Sequence, residues 1–363
     1  MTQSKLFTPL NKGLKLSNRI VMAPMTRSRA INNTPNDLMA LYYEQRSSAG
    51  LIISEGNSPS PNGLGYARIP GIFSDHQVEA WKKITNAVHK NNGKIFTQLM
   101  HAGRVAHSEN LPKNAKHLAP SAISADTDMW TDTKGLQKTE KPAEMSLAEI
   151  KSTIEEYAQA ASNAIKAGFD GVELHGANGY LLEQFLNPNS NTRTDEYGGS
   201  FINRARFVIE VARAVAERIG PEKTGIRISP YGTFNTMPHY DEIVETYDYL
   251  TKELSSMKLV YLHVVDYAAR SNEKGQELLK QIRTNFNQLL ILNGGYNKER
   301  AIKALENNEA DLISFGSSFI SNPNLPHVLE NDLELVKPDP TTFYMPDEKG
   351  YTDYQLVSAK AIA

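Results

Sequence analysis

The segment His175-Gly176-Ala177-Asn178-Gly179-Tyr180 brings three polar side chains together on one short stretch. His175 and Asn178, three apart, can aim two N–H donors at one oxygen, and Tyr180 adds a weak acid with an ordinary pKa of about 10. Two donors on a carbonyl oxygen draw electron density onto it, and a nearby phenol can then protonate the carbon next to it. The same segment also reads as a glycine-rich loop whose histidine caps a strand. A second feature is a pair of glycine turns, Asn293-Gly294-Gly295 and Gly316-Ser317-Ser318, each following an apolar run. Bare backbone N–H groups there suit a phosphate, and two ordinary tight turns would leave the same pattern.

Groups so far apart in the chain need a scaffold that gathers them. Short apolar runs recur at Arg19 to Met25, Gly50 to Glu55, Lys94 to Met100, Gly171 to His175, Gly225 to Ser229, Val260 to Val265, Leu289 to Leu292 and Leu312 to Phe315. Near-continuous apolarity at strand length predicts strands covered on both faces, as in a parallel sheet. Helical patterns alternate with them. The clearest follows Ser146, where Glu149 completes a capping box and Ile150, Ile154, Tyr157, Ala158, Ala161 and Ile165 share one face before Gly168. Gln77 to His89, Phe207 to Ile219, Tyr240 to Leu254, Glu273 to Phe286, Lys298 to Leu305 and Pro326 to Leu335 read similarly.

This alternation predicts a (β/α)8 TIM barrel, with residues 1–363 as a single domain. Ala23-Pro24-Met25-Thr26, not Gly-x-Gly-x-x-Gly, follows the first strand, which argues against a dinucleotide-binding half. The stretch from Gly103 to Lys141 has no strong period and reads as a long insertion after the third strand, on the face where barrels keep their sites. On that face the strand ends present Thr26, Glu55-Gly56, Gln98, His175, Arg227, His263, Gly294-Gly295 and Gly316-Ser317. That set has donors, acceptors and a guanidinium but no paired carboxylates, so it suits holding a planar polar ligand better than hydrolysis.

Composition narrows the chemistry further. The chain carries 39 Lys plus Arg against 41 Asp plus Glu, and a net charge of −2 makes no electrostatic case for nucleic acid or an anionic membrane. It has no cysteine, which removes disulfides, thiolate nucleophiles and iron–sulfur clusters. None of the 9 histidines shows metalloprotease-type spacing, so no metal is expected. The N-terminus lacks the apolar stretch of a secretory signal, and no apolar run reaches a membrane span; a cytoplasmic protein is the expectation.

Taken together, the motifs resemble the Old Yellow Enzyme family of FMN-dependent ene-reductases. They are Ala23-Pro24-Met25-Thr26-Arg27, Ser54-Glu55-Gly56, Gly65-Tyr66 with Pro70-Gly71, and Gln98-Leu99-Met100-His101-Ala102-Gly103-Arg104. The run from His175 to Leu186 and that from Asn191 to Ser200 follow. Last come Arg227-Ile228-Ser229-Pro230, Asn293-Gly294-Gly295-Tyr296, Asn322-Pro323-Asn324-Leu325 and Gly350-Tyr351-Thr352-Asp353-Tyr354. They stand in family order over essentially the whole chain, and Thr26 sides with the branch that has Thr, not Cys, at this position.

The resemblance implies FMN at the strand C-termini, with Pro24, Met25, Gly56 and Gly294 among the residues around it. Thr26 would hydrogen-bond the flavin O4, Gln98 would face the pyrimidine edge, and Arg227 would lie near N1 and O2, where reduction adds negative charge. Gly295, Gly316 and Ser317 would hold the phosphate. NAD(P)H would reduce the flavin and leave before an enone or nitroalkene takes its place, a ping-pong order. His175 and Asn178 would bind the substrate oxygen and Tyr180 would donate the proton. Tyr66 and Tyr351 would line the substrate pocket, with Trp130 of the insertion nearby; each also reads as ordinary packing.

The chain departs from the family at one point: an arginine commonly follows the glycine after the eighth strand, and Ser317 stands there. Weaker FMN retention is the expectation. The same site could act on nitro compounds, nitrate esters or quinones, and a barrel that binds a phosphorylated ligand without redox chemistry is the reading from another class. The expected partner is a small molecule, with the protein a monomer or small homo-oligomer.

Overall fold

The computed structural model describes residues 4–357. A hairpin comes first, β1 (Leu10–Lys12) paired antiparallel with β2 (Leu14–Leu16). Then follow β3 (Ile20–Met22), α1 (Asp37–Glu44), β4 (Leu51–Asn57), α2 (Asp75–Lys90) and β5 (Ile95–Leu99). The insertion holds four short strands, β6 (Leu118–Ala119), β7 (Asp128–Thr131), β8 (Gly135–Lys138) and β9 (Ala143–Glu144). Beyond it lie α3 (Leu147–Lys166), β10 (Gly171–Gly176), α4 (Leu181–Leu186), α5 (Phe201–Ile219), β11 (Thr224–Ile228), α6 (Ile243–Ser256) and β12 (Tyr261–Val265). The chain then runs through α7 (Tyr267–Arg270), α8 (Glu273–Asn285), β13 (Leu289–Asn293), α9 (Lys298–Glu306), β14 (Leu312–Phe315), α10 (Ser317–Ser321) and α11 (Leu325–Glu330).

The strands β3, β4, β5, β10, β11, β12, β13 and β14 pair in that order, and β14 closes on β3. Every pairing is parallel. These are the eight apolar runs, now a closed (β/α)8 barrel. Their two-sided apolarity has a direct cause. Val21, Leu51, Ile291 and Leu312 pack into an inner core, while Ile20, Met22, Leu290 and Leu292 pack outward under the helices. Leu10 and Leu16 of the hairpin join the inner core and plug the N-terminal end of the barrel. The turn uses Gly13, at φ 70°, which brings its backbone against Leu289 and Val260.

Helix starts follow their caps. Ser74 with Gln77 and Ser146 with Glu149 form complete capping boxes on α2 and α3. α5 begins at Phe201 and not at Phe207, because Ser200 accepts from the Asn203 N–H and caps a turn that starts before the apolar period is established. α6 starts at Ile243 and not at Tyr240, and α11 stops at Glu330 and not at Leu335. The insertion has more order than its composition suggests, since β7 and β8 form a hairpin and β6 pairs with β9.

After α11 the chain returns to the C-terminal mouth of the barrel, where buried arginines from the other end of the sequence hold it. Arg29 donates to the carbonyls of Thr342 (2.9 Å), Phe343 (2.5 Å), Asp347 (3.2 Å) and Lys349 (3.0 Å). Burial pushes its pKa down to about 10, which still leaves it charged at neutral pH. Arg29→Met should therefore strand several buried carbonyls and lower unfolding stability by about 3 kcal/mol or more. A urea midpoint and the proteolytic lability of residues 339–354 check this, and a wild-type value of both would contradict it.

Candidate active site

The C-terminal ends of the barrel strands enclose a cavity of about 360 Å³. β3 delivers Pro24, Met25 and Thr26 to it, β5 delivers Gln98, β10 and the following turn deliver His175, Asn178 and Tyr180, and β11 delivers Arg227. Gly316 and Ser317 complete the wall after β14. A larger crevice of about 660 Å³ lies outside the barrel against α8 and α9 and contains none of these residues.

The floor of the site is a buried polar network. The Gln98 Nε2 donates to Glu173 Oε1 at 2.8 Å. A carboxylate only accepts, so the amide N–H side faces the barrel interior and its oxygen is left as an acceptor for the cavity. The other Glu173 oxygen accepts from His263 Nδ1 at 2.8 Å, and both residues are fully buried. That bond fixes the proton on Nδ1, and burial keeps His263 neutral by lowering its pKa. Arg227 donates to Asn293 Oδ1 at 2.7 Å, while its Nε is buried without a partner. Burial lowers its pKa and the Glu173 charge opposes that; a guanidinium keeps its charge through such shifts.

Beside Arg227, in register with it on the neighbouring strand, His175 opens the stretch that carries the acid and the donors. Burial, then the charge of Arg227, holds the His175 pKa well below its usual range, so the ring is neutral. Its Nδ1 is buried without a partner. The Tyr180 ring lies 4.8 Å from it, centroid to centroid, and burial raises the phenol pKa. Tyr180 therefore stays protonated at neutral pH, and its hydroxyl donates to that of Tyr66 at 3.1 Å. Asn178 sits at φ 57° and Gly179 at φ 73°. Only glycine fits the second position, where a Cβ would come within 2.7 Å of the Phe234 carbonyl.

Several other expected site residues lie elsewhere. Tyr351 does not line the cavity: it is fully buried, stacked on Tyr42 at 4.0 Å with the Arg29 guanidinium 4.6 Å from its ring. The aromatic wall comes instead from Phe343, Tyr344 and Phe234. Tyr66 stands behind Tyr180 and lines a separate surface cavity. Gly56 lies behind Met100, whose Sδ would be 2.7 Å from an added Cβ. Gly294 and Gly295 follow the lining residue Asn293; Gly294 accepts from Arg270, and nothing approaches a Cβ at Gly295. Trp130 is 54 % exposed on the β7–β8 hairpin and donates to Asp132.

Sequence reasoning missed Glu173, which accepts from Gln98 and His263, and Glu183, which accepts from the Gly179 N–H. A lone carboxylate within the apolar run Gly171 to His175 was a readable signal for the first. Phe234, Phe343 and Tyr344 come from segments without a motif. Among the described residues no cluster of His, Asp and Glu could hold a metal ion, and no helix is long and apolar enough to cross a membrane.

Residues 5–335 match the model of the NADH:flavin oxidoreductase / NADH oxidase family. The chain is 40 % identical over 379 residues to 12-oxophytodienoate reductase 7 of Oryza sativa subsp. japonica, covering 98 % of this chain and 95 % of that protein. It is 42 % identical over 365 residues to a chanoclavine-I aldehyde reductase of Penicillium roqueforti, covering 97 % and 96 %. Among solved structures, morphinone reductase in complex with tetrahydroNAD superposes with a TM-score of 0.92 at 43 % identity, covering 97 % of this chain and 98 % of that one. The Old Yellow Enzyme homologue from Zymomonas mobilis gives 0.93 at 40 %, covering 97 % and 100 %.

Proposed function

The chain belongs to the NADH:flavin oxidoreductase / NADH oxidase family, in its Old Yellow Enzyme branch, and from that premise we propose that it reduces the C=C bond of α,β-unsaturated carbonyl or nitro compounds in a ping-pong cycle. It is an NAD(P)H-dependent oxidoreductase with FMN as cofactor and a small molecule as substrate. The observation that carries the finer reading is the meeting of a neutral His175, Asn178 and a protonated Tyr180 in one cavity with Gln98 and Arg227.

The residues present fit a flavin. Gln98 offers an oxygen to an N–H on the ring edge, Arg227 has a buried Nε without a partner, and no atom comes nearer than 3.7 Å to a Cβ built on Gly316. Thr26 lines the same cavity and would donate its hydroxyl to the flavin O4. FMN, once reduced, supplies the hydride for the β-carbon. His175 and Asn178 hold the substrate oxygen and stabilise the negative charge that grows there. Tyr180 then gives its proton to the α-carbon, and a neutral histidine beside it does not compete as an acid. Recovery of flavin absorbance when 2-cyclohexenone is added to the reduced protein tests this; bleached flavin that stays bleached would refute it.

The phosphate end is where this chain is weakest. Arg27 also lines the cavity, but its nitrogens donate to the Phe343 carbonyl, the Tyr42 hydroxyl and the Gly350 carbonyl. We therefore place Ser317, with Gly316 and Gly295, at the phosphate, with Arg27 held away from it by these bonds. Ser317→Arg should tighten FMN about 10-fold, the order of one charge-assisted hydrogen bond. Fluorescence titration of the apoprotein with FMN and with riboflavin checks this. The gain should appear for FMN alone, and equal affinity of both proteins for FMN would contradict it.

A further inference from the structure

The turn that bears Asn178 and Tyr180 is held by four side chains, buried Ser229, Glu183 and Gln184 and half-buried Asn235, one for each backbone polar group of its two left-handed residues. The Asn178 N–H donates to Ser229 Oγ at 2.8 Å, and its carbonyl accepts from Asn235 Nδ2 at 2.8 Å. The Gly179 carbonyl accepts from Gln184 Nε2 at 2.8 Å, and the Gly179 N–H donates to Glu183 Oε2 at 2.5 Å. Two consecutive residues at positive φ persist only where their surroundings over-determine them.

Glu183 ties this cradle together. Its Oε1 accepts from Ser229 Oγ at 2.7 Å and from the Tyr247 hydroxyl at 2.9 Å. Burial raises its pKa to about 7, and the three donors, with no acceptor facing it, oppose that shift and favour the carboxylate. The serine hydroxyl passes the effect on: it accepts from Asn178 and hands its own hydrogen to Glu183. We propose that Glu183 is the positioning residue of this site, its carboxylate fixing the Asn178–Gly179 turn through the Gly179 N–H and through Ser229, and thereby the aim of Asn178 and Tyr180 at the substrate. The proposal rests on reading the cavity as a site of alkene reduction.

An amide cannot replace this carboxylate. The Gly179 N–H cannot reverse, so glutamine must turn its oxygen there and its NH2 toward Ser229 and Tyr247. Ser229 already accepts from Asn178, and its own hydrogen would lose its acceptor. The turn then relaxes, and a shift of about 1 Å in a reacting group can reduce a rate by about 10²-fold.

The test uses the holoenzyme, reduced anaerobically and mixed either with 2-cyclohexenone or with ferricyanide. Ferricyanide takes electrons without needing an aimed donor or acid. Glu183→Gln should slow reoxidation by the enone about 10- to 100-fold and leave reoxidation by ferricyanide at the wild-type rate. Ser229→Ala should show the same selective loss, and the double variant should lose little more than either single one. If Glu183→Gln does not retain its flavin, Ser229→Ala alone decides by the same comparison. An unchanged enone rate, or equal losses with both oxidants, would overturn the positioning role. A wild-type protein that the enone fails to reoxidise overturns the reading of the site itself, before any variant is compared.

Discussion

Tyr180→Phe is expected to slow the reoxidation of the reduced enzyme by an enone by about 10²- to 10⁴-fold, the range of one well-placed general acid. The variant keeps the ring that packs on His175 at 4.8 Å and loses the hydroxyl, with its 3.1 Å bond to Tyr66 and its contact with Asn235. Folding and flavin content should therefore change little, and reduction by NAD(P)H should stay near the wild-type rate. Burial raises the Tyr180 pKa above its ordinary value, so the phenol remains an acid throughout the neutral range. The enone rate of the wild type should show no loss from Tyr180 ionisation below about pH 10. Stopped-flow absorbance of each half-reaction measures both claims. A Phe variant that turns over the enone at the wild-type rate would assign the proton to water.

His175→Ala should cost the enone half-reaction about 10²- to 10³-fold, as expected when one of two donors to a developing oxyanion is removed. Because His175 is held neutral by burial and by Arg227, it gives a neutral N–H. Acidification from pH 7.5 to 6 should then leave its contribution unchanged. A rate that rises as the pH falls through the ordinary histidine range would show that an imidazolium does the work, contrary to this assignment. Asn178→Ala should fall in the same range. The double variant should lose less than the product of the two single losses, because either donor alone leaves the substrate oxygen badly placed.

The parts of this molecule that could be read in advance are those whose physics is local. A strand buried on both faces must be apolar along its length, so runs such as Val260 to Val265 and Leu289 to Leu292 announce themselves. α3 announces itself through Ser146, Glu149 and its apolar stripe. The hairpins β1–β2 and β7–β8 were missed because three- or four-residue strands show almost no period. α4 was missed because all six of its residues are buried, which erases the polar face.

The same division holds at the site. His175, Asn178 and Tyr180 share one short stretch of chain, and the cavity brings them to one wall. The substrate-side aromatics do not follow from local sequence. Tyr351 stands in a recognisable motif, yet the arginines that bind the returning chain bury it against Tyr42 and present Phe343 and Tyr344 instead. Glu183 acts through Ser229, which lies just beyond the next barrel strand, and only tertiary structure shows that contact.

An anaerobic absorbance titration of the purified protein decides whether the site reduces an alkene through a flavin. NADPH is added until the flavin band bleaches, and then 2-cyclohexenone. The expected result is bleaching followed by recovery of the band with formation of cyclohexanone. Bleaching without recovery would contradict alkene reduction and move the oxidant to nitro compounds, nitrate esters or quinones. A protein that shows no flavin band after incubation with FMN would contradict the redox reading as a whole.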